Sequence, residues 1–165
     1  MANSQAMCNS FKQELLQGLH QFGPAAGTIT IVSRTSLTAP VNDTFKAALY
    51  LTSATVNAQT TAYSATGEVT GTNYTAGGNP TGGWASVAIG TQTATTGTAY
   101  TTPSANITFS TVTLATAFDS CLIYNSTQSN RAVSVHYFGA QTVSAGNFTL
   151  TMPTNAAGTA LINIS

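Results

Sequence analysis

The sequence predicts an all-β fold, an antiparallel β-sandwich or jelly-roll-like barrel of about eight strands with a short N-terminal amphipathic helix. Three observations point there. Charged residues make up 5% of the chain, against roughly a quarter in typical domains, while hydrophobic residues stand at an ordinary 42%. Hydroxyls and amides replace the missing charge; Thr favours strands, and Ser, Asn and Gly favour turns. Disorder would instead need low hydrophobicity with high charge. The second observation is the stretch from Phe118 to Ala140, where the apolar runs Cys121 to Tyr124 and Ala132 to Phe138 flank the turn-forming segment Asn125 to Asn130. That is the pattern of an antiparallel hairpin with a longer loop, and its apolar content on both faces marks central strands. Third, short apolar runs recur between turn signals, and a helical period occurs only near the N-terminus.

Taken in order, residues 1–9 read as a lead. In the segment from Ser10 to Phe22, the residues Met7, Phe11, Leu15, Leu19 and Phe22 recur every three or four positions, with Leu16 beside them. Ser10 and Gln13 form a capping-box pattern, and Gly23-Pro24 ends the predicted helix. This helix either packs on its own sheet or serves as an arm that docks on a neighbouring subunit, since it leads into the Gly/Ala linker Gly23 to Gly27. We therefore divide the chain into a helical arm, 1–23, and a β domain, 24–165. Strands are predicted at Thr28 to Val32, Thr44 to Leu51, Trp84 to Ile89, Ile107 to Leu114, Phe148 to Met152 and Ala160 to Ile164, besides the two of the hairpin. The alternation slips near Ser110, a place for a bulge. After Gly139 the sequence reads as turn-rich. The long segment between Thr52 and Gly83, rich in Thr, Ala, Gly and Asn, is expected to form inter-subunit contacts, as long connections in compact domains are usually functional.

With 165 residues the chain suits one domain. Lys12, Arg34, Lys46 and Arg131 are scattered and balanced by Glu14, Asp43, Glu68 and Asp119, giving formal net charge zero. Nucleic-acid binding needs clustered Lys and Arg, so it is not expected. Adhesion has to rest on apolar contact and neutral hydrogen bonds, with little dependence on salt. The N-terminus lacks a signal-peptide core and no run approaches the roughly 18 apolar residues of a membrane span, so we expect no membrane partner and synthesis in a host cytoplasm. Cys8 and Cys121 lie far apart without metal-ligand spacing, and carboxylates are too few for a calcium site; no metal or cofactor is expected.

Catalysis finds little footing. His20 near a helix C-terminus and His136 in a strand have structural reasons to be there. Cys121 and His136 across the hairpin imitate a nucleophile and base, yet regular strands offer no oxyanion turn. Tyr63, Tyr74, Tyr100 and Trp84 could stack on sugars, or serve as packing and interface residues.

Several stretches resemble small virion proteins of tailed bacteriophages: Met7-Cys8-x-Ser10-Phe11-Lys12-x-Glu14-Leu15-Leu16-x-Gly18-x-His20-x-Phe22; Asp43 to Tyr50; Thr61-x-Tyr63 with Gly67-Glu68-Val69-x-Gly71-x-x-Tyr74-Thr75-x-Gly77-Gly78; and Leu122 to Ser126 with Arg131-Ala132-Val133. The likeness spans most of the chain and is least between Pro80 and Ser120. It implies a non-enzymatic particle component made in the bacterial host cytoplasm and located in the virion. A capsid decoration or cement protein is the first expectation; a neck, tail or fibre component, with or without host-glycan binding, is the alternative. The implied partners are the major capsid protein or other virion proteins and further copies of the chain, as a dimer or trimer. The expected contact residues are Phe11, Leu15, Leu16, Leu19 and Phe22 of the helix, with Tyr74 and Trp84.

Overall fold

The structure, a computed structural model, describes residues 3–20, 22, 43–85, 88–89 and 97–164. The expected strand at Thr28 to Val32, the linker Gly23 to Gly27 and the boundary between arm and β domain lie outside the described residues. The described fold is mostly antiparallel β with one short helix. Its elements in chain order are β1 (Ala6–Met7), α1 (Asn9–Leu16), β2 (Phe45–Leu51), β3 (Asn79–Pro80), β4 (Ala88–Ile89), β5 (Ala99–Thr101), β6 (Ile107–Asn125), β7 (Arg131–Leu150) and β8 (Ile162–Ile164). They form a five-stranded sheet of order β1-β7-β6-β2-β3 and a three-stranded sheet of order β4-β5-β8. Among the described residues no helix is long and apolar enough to cross a membrane.

The hairpin β6–β7 organises everything else. Its turn falls where the polar segment predicted it, between Asn125 and Arg131, which face each other in the ladder. What the sequence presented as four strands are, however, two. Ile107 to Leu114 and Cys121 to Tyr124 are one strand of 19 residues, and Ala132 to Phe138 and Phe148 to Met152 belong largely to one strand of 20. The expected turn after Gly139 is absent because bulges absorb the slips in alternation: Gly139 sits at φ 80°, Thr111 at φ 51° and Ala145 at φ 48°, and the register shifts between Phe109 and Val112 and again toward Phe118. The bulge expected near Ser110 is the Thr111 one. Thr111 is a β-branched residue in left-handed geometry, held there as its N–H donates to Asn147 Oδ1 at 2.8 Å.

At the turn end the hairpin is buried on both faces. Leu122, Ile123, Val133 and Val135 are all at or below 1% exposure, as central strands require. Strand β2 pairs along β6 from Phe45 opposite Asn125 to Leu51 opposite Phe118. Beyond Phe118 the hairpin continues with alternating half-buried and exposed residues on β7, so one side of it is wet.

The helix is shorter than predicted. It ends at Leu16 because Gly18 adopts φ 68° and closes a Schellman motif, with Gly18 N–H bonding Leu15 O at 3.1 Å and Leu19 N–H bonding Glu14 O at 3.0 Å. The capping box is not formed either. Cys8 occupies the N-cap, because β1 pairs with β7 and Cys8 N–H bonds Val133 O at 3.0 Å, which fixes where the chain enters the helix. The lead is likewise tied down: Asn3 donates to Asp119 Oδ1 (2.6 Å) and Leu51 O (3.0 Å) and accepts from Val56 N–H (2.9 Å).

Candidate functional site

The contact residues expected from the sequence separate into buried and exposed groups. Phe11, Phe22 and Trp84 lie in this chain's own core, at 0%, 8% and 6% exposure. Phe22 stacks on Phe45 with centroids 4.6 Å apart and meets Phe11 and Trp84 edge-on at 5.8 and 4.7 Å. The helical stripe therefore packs on its own sheet, and no open face of Trp84 is left for a sugar. Leu15 and Leu19 are half-buried. Leu16 projects at 92% exposure, and the other exposed large apolar side chains among the described residues are Tyr137 and Ile164. Leu15 and Ile164 line one small groove of about 230 Å³ with Tyr100 and Ile162, so among the described residues the helix end and β8 form one apolar region. Tyr74 is elsewhere: its ring stacks on Phe109, centroids 5.6 Å apart, and its hydroxyl accepts from Leu49 N–H and donates to Glu68.

The four carboxylates are used inside the fold. Glu14, buried, binds Arg131 through one carboxylate oxygen and His20 Nε2 through the other at 2.7 Å. His20 Nδ1 lies 3.0 Å from Asn125 Nδ2, whose other hydrogen goes to Asp43 Oδ2 at 2.6 Å, while Asn125 Oδ1 accepts from Thr127 and Gln128 N–H. Those two backbone bonds fix which way the amide points. His20 Nδ1 is consequently the acceptor and Nε2 carries the hydrogen that Glu14 receives. This knot fastens the end of α1 to the hairpin turn. Glu68, also buried, accepts from Tyr63 hydroxyl (2.6 Å), Tyr74 hydroxyl (2.7 Å) and Gly77 N–H (2.8 Å). Tyr124 donates to Gly77 O at 2.7 Å and Tyr50 to Ser64 O at 2.5 Å, so four phenols pin the long segment after β2. Asp119 accepts from Asn3 and Ser120. Each of the four carboxylates thus has a partner within the chain.

The segment after β2, expected to make contacts between subunits, is locked to its own sheet by these bonds. Sequence reasoning missed the knots as knots. A signal was present for the second, since Tyr63, Glu68, Tyr74 and Gly77 lie close together in the sequence.

The larger of these two concavities is a cleft of about 510 Å³ between the β6–β7 hairpin and residues 151–161, with Cys121, Ile123, His136, Phe138, Phe148 and Leu161 among its lining. Sequence reasoning singled out Cys121 and His136 but not the cleft, because its far wall comes from the turn-rich C-terminal segment. The two residues face each other in the ladder. Burial pushes the Cys121 thiol well above its ordinary range and pulls the His136 imidazole down to about 4, while His136 Nε2 lies 2.8 Å from Ser134 Oγ. A thiolate–imidazolium couple needs the opposite shifts. At neutral pH both groups are uncharged.

His136 gives the protein a definite acid response. Its folded value, about 4, lies below the ordinary 6.5, so its contribution is present above pH 6.5 and is lost as pH falls through 4. The loss amounts to at most about 3 kcal/mol. Urea midpoints between pH 7 and 4 should fall more steeply for the wild type than for His136→Phe; parallel curves would contradict this assignment.

No protein-family model, no curated protein and no solved structure matches this chain.

Proposed function

We propose that this chain is a structural component of a tailed-phage particle, a capsid decoration or cement protein that lies across neighbouring shell subunits. In this reading the small sheet stacks on the large one as a β-sandwich, and the chain acts as a dimer or trimer. The observation that carries the reading is the inward use of the acidic groups: all four carboxylates are tied within the fold, which leaves, among the described residues, a surface mainly of hydroxyls, amides and small apolar groups with few cations, such as exposed Lys12. Such a surface carries few long flexible side chains and loses little entropy when it is covered for good. Many weak contacts repeated around a shell then add up.

The contact surface follows from the exposure pattern rather than from the whole helical stripe. Leu16 leads it, with half-buried Leu15 and Leu19 beside it and Tyr74 on the long segment; Phe11, Phe22 and Trp84 contribute by holding α1 in place. A neck, tail or fibre position would use the same surface and differs in copy number. Quantitative gels of purified particles test both: on the order of hundreds of copies supports the shell, about a dozen or fewer supports the neck or tail, and none overturns the reading. Leu16→Glu, at an exposed site, should leave the melting temperature within about 2 °C and lower occupancy on particles several-fold. Unchanged occupancy would remove Leu16 from the interface.

A further inference from the structure

We propose that the cleft between the β6–β7 hairpin and residues 151–161 binds an uncharged, largely aromatic small molecule, a role separate from particle assembly. Its volume of about 510 Å³ falls within the roughly 300–1,000 Å³ of ligand sites. Cys121 and Ile123 form the floor. Phe138 and Phe148, their rings 5.3 Å apart and tilted by 47°, line its wall together with Met152 and Leu161. All four wall residues are only half-buried, so unused surface of large apolar side chains collects here. Ring edges and faces in this arrangement favour an aromatic guest.

Charge selects within that class. Among the described residues the lining contains no Asp, Glu, Lys or Arg, and the polar groups at the mouth, such as Gln141 and Thr151, are neutral. Burial keeps the Cys121 thiol and His136 imidazole neutral as well. A charged guest would give up its hydration without a countercharge, whereas a neutral one with an amine or hydroxyl finds amides and hydroxyls at the rim. The C-terminal wall is bonded to the rest of the fold at Met152 N–H to Asn106 Oδ1 (2.9 Å), at Leu161 N–H to Thr102 Oγ1 (3.4 Å) and through Asn163 of β8, which accepts from Gly158 N–H (3.2 Å) and donates to Ala160 O (3.0 Å).

A matched pair of probes tests this. N-phenyl-1-naphthylamine is neutral; 8-anilinonaphthalene-1-sulfonate carries the same rings and a negative charge. The neutral probe should bind once per chain with a dissociation constant on the order of tens of micromolar, and the sulfonate at least about tenfold more weakly. Leu161→Trp, which fills the cleft, should weaken the neutral probe at least about tenfold. Thr151→Lys, at an exposed rim position, should leave the neutral probe within about threefold and bring the sulfonate up to it. Absence of saturation by the neutral probe up to about 200 µM, or equal affinity for both probes on the wild type, overturns the proposal. So does Thr151→Lys failing to shift the preference, a result that decides the matter even where Leu161→Trp does not fold by circular dichroism.

Discussion

Gly78→Ala is expected to destabilise the protein by more than about 4 kcal/mol or to prevent folding. Gly78 sits at φ 70°, immediately before β3, where the returning chain meets β2. A methyl group there would lie 1.8 Å from Ala47 O and 2.7 Å from Ala48 Cα. Both obstacles are backbone of a strand paired on both sides, so neither can give way cheaply. The left-handed conformation adds its own cost for any residue with a Cβ. Gly82, at φ 71° with open space around it, is the control: Gly82→Ala has only the conformational cost, about 1 kcal/mol. Chemical denaturation of the two variants should separate them widely. Similar midpoints would mean that the approach of Gly78 to β2 is looser than described.

Glu68→Ala is expected to cost about 4 kcal/mol, the second largest effect. The carboxylate receives hydrogen bonds from Tyr63, Tyr74 and Gly77, and its removal leaves three donors in the interior without an acceptor. Each orphaned buried donor costs roughly 1–3 kcal/mol, offset in part by whatever water enters. The phenols cannot resolve the loss by ionising. Burial, reinforced by the hydrogen bond to Glu68, raises Tyr63 and Tyr74 far above their ordinary range, and burial raises Tyr124 to about 12. Glu68→Gln keeps the shape and one acceptor, and should cost less than half as much. Thermal unfolding of the pair checks this; equal losses would point to charge rather than to the count of hydrogen bonds.

How much of this was legible in the sequence depends on the range of the interaction. The hairpin turn between Asn125 and Arg131 was readable because turn chemistry and the flanking apolar runs are local. The true lengths of β6 and β7 were not, since a bulge such as the one at Ala145 shifts the alternation and looks like a break when no partner strand is in view. The helix boundary was misplaced for a similar reason. Gly18 lay within a continuous apolar period of the sequence, and only its left-handed conformation shows that the helix has ended before half-buried Leu19 and before Phe22, which reaches the core. Of the candidate contact residues, Leu16 is where a stripe reading would place it, on the surface. Phe11, Phe22 and Trp84 are inside, because an aromatic residue in sequence looks the same whether it fills a core or an interface. The knot around Glu14 joins residues from distant segments, with Arg131 bonded to it across 117 positions, and no spacing rule anticipates it; the knot around Glu68 is local, but nothing in the spacing of Tyr63, Tyr74 and Gly77 shows that they turn toward one carboxylate.

The central claim is that a chain with its carboxylates turned inward adheres through neutral and apolar contact. The most direct measurement is its copy number on purified particles before and after washing from about 50 mM to about 1 M sodium chloride, where the screening length falls to about 3 Å. The same copy number is expected at both ends. Progressive release at moderate salt would contradict it.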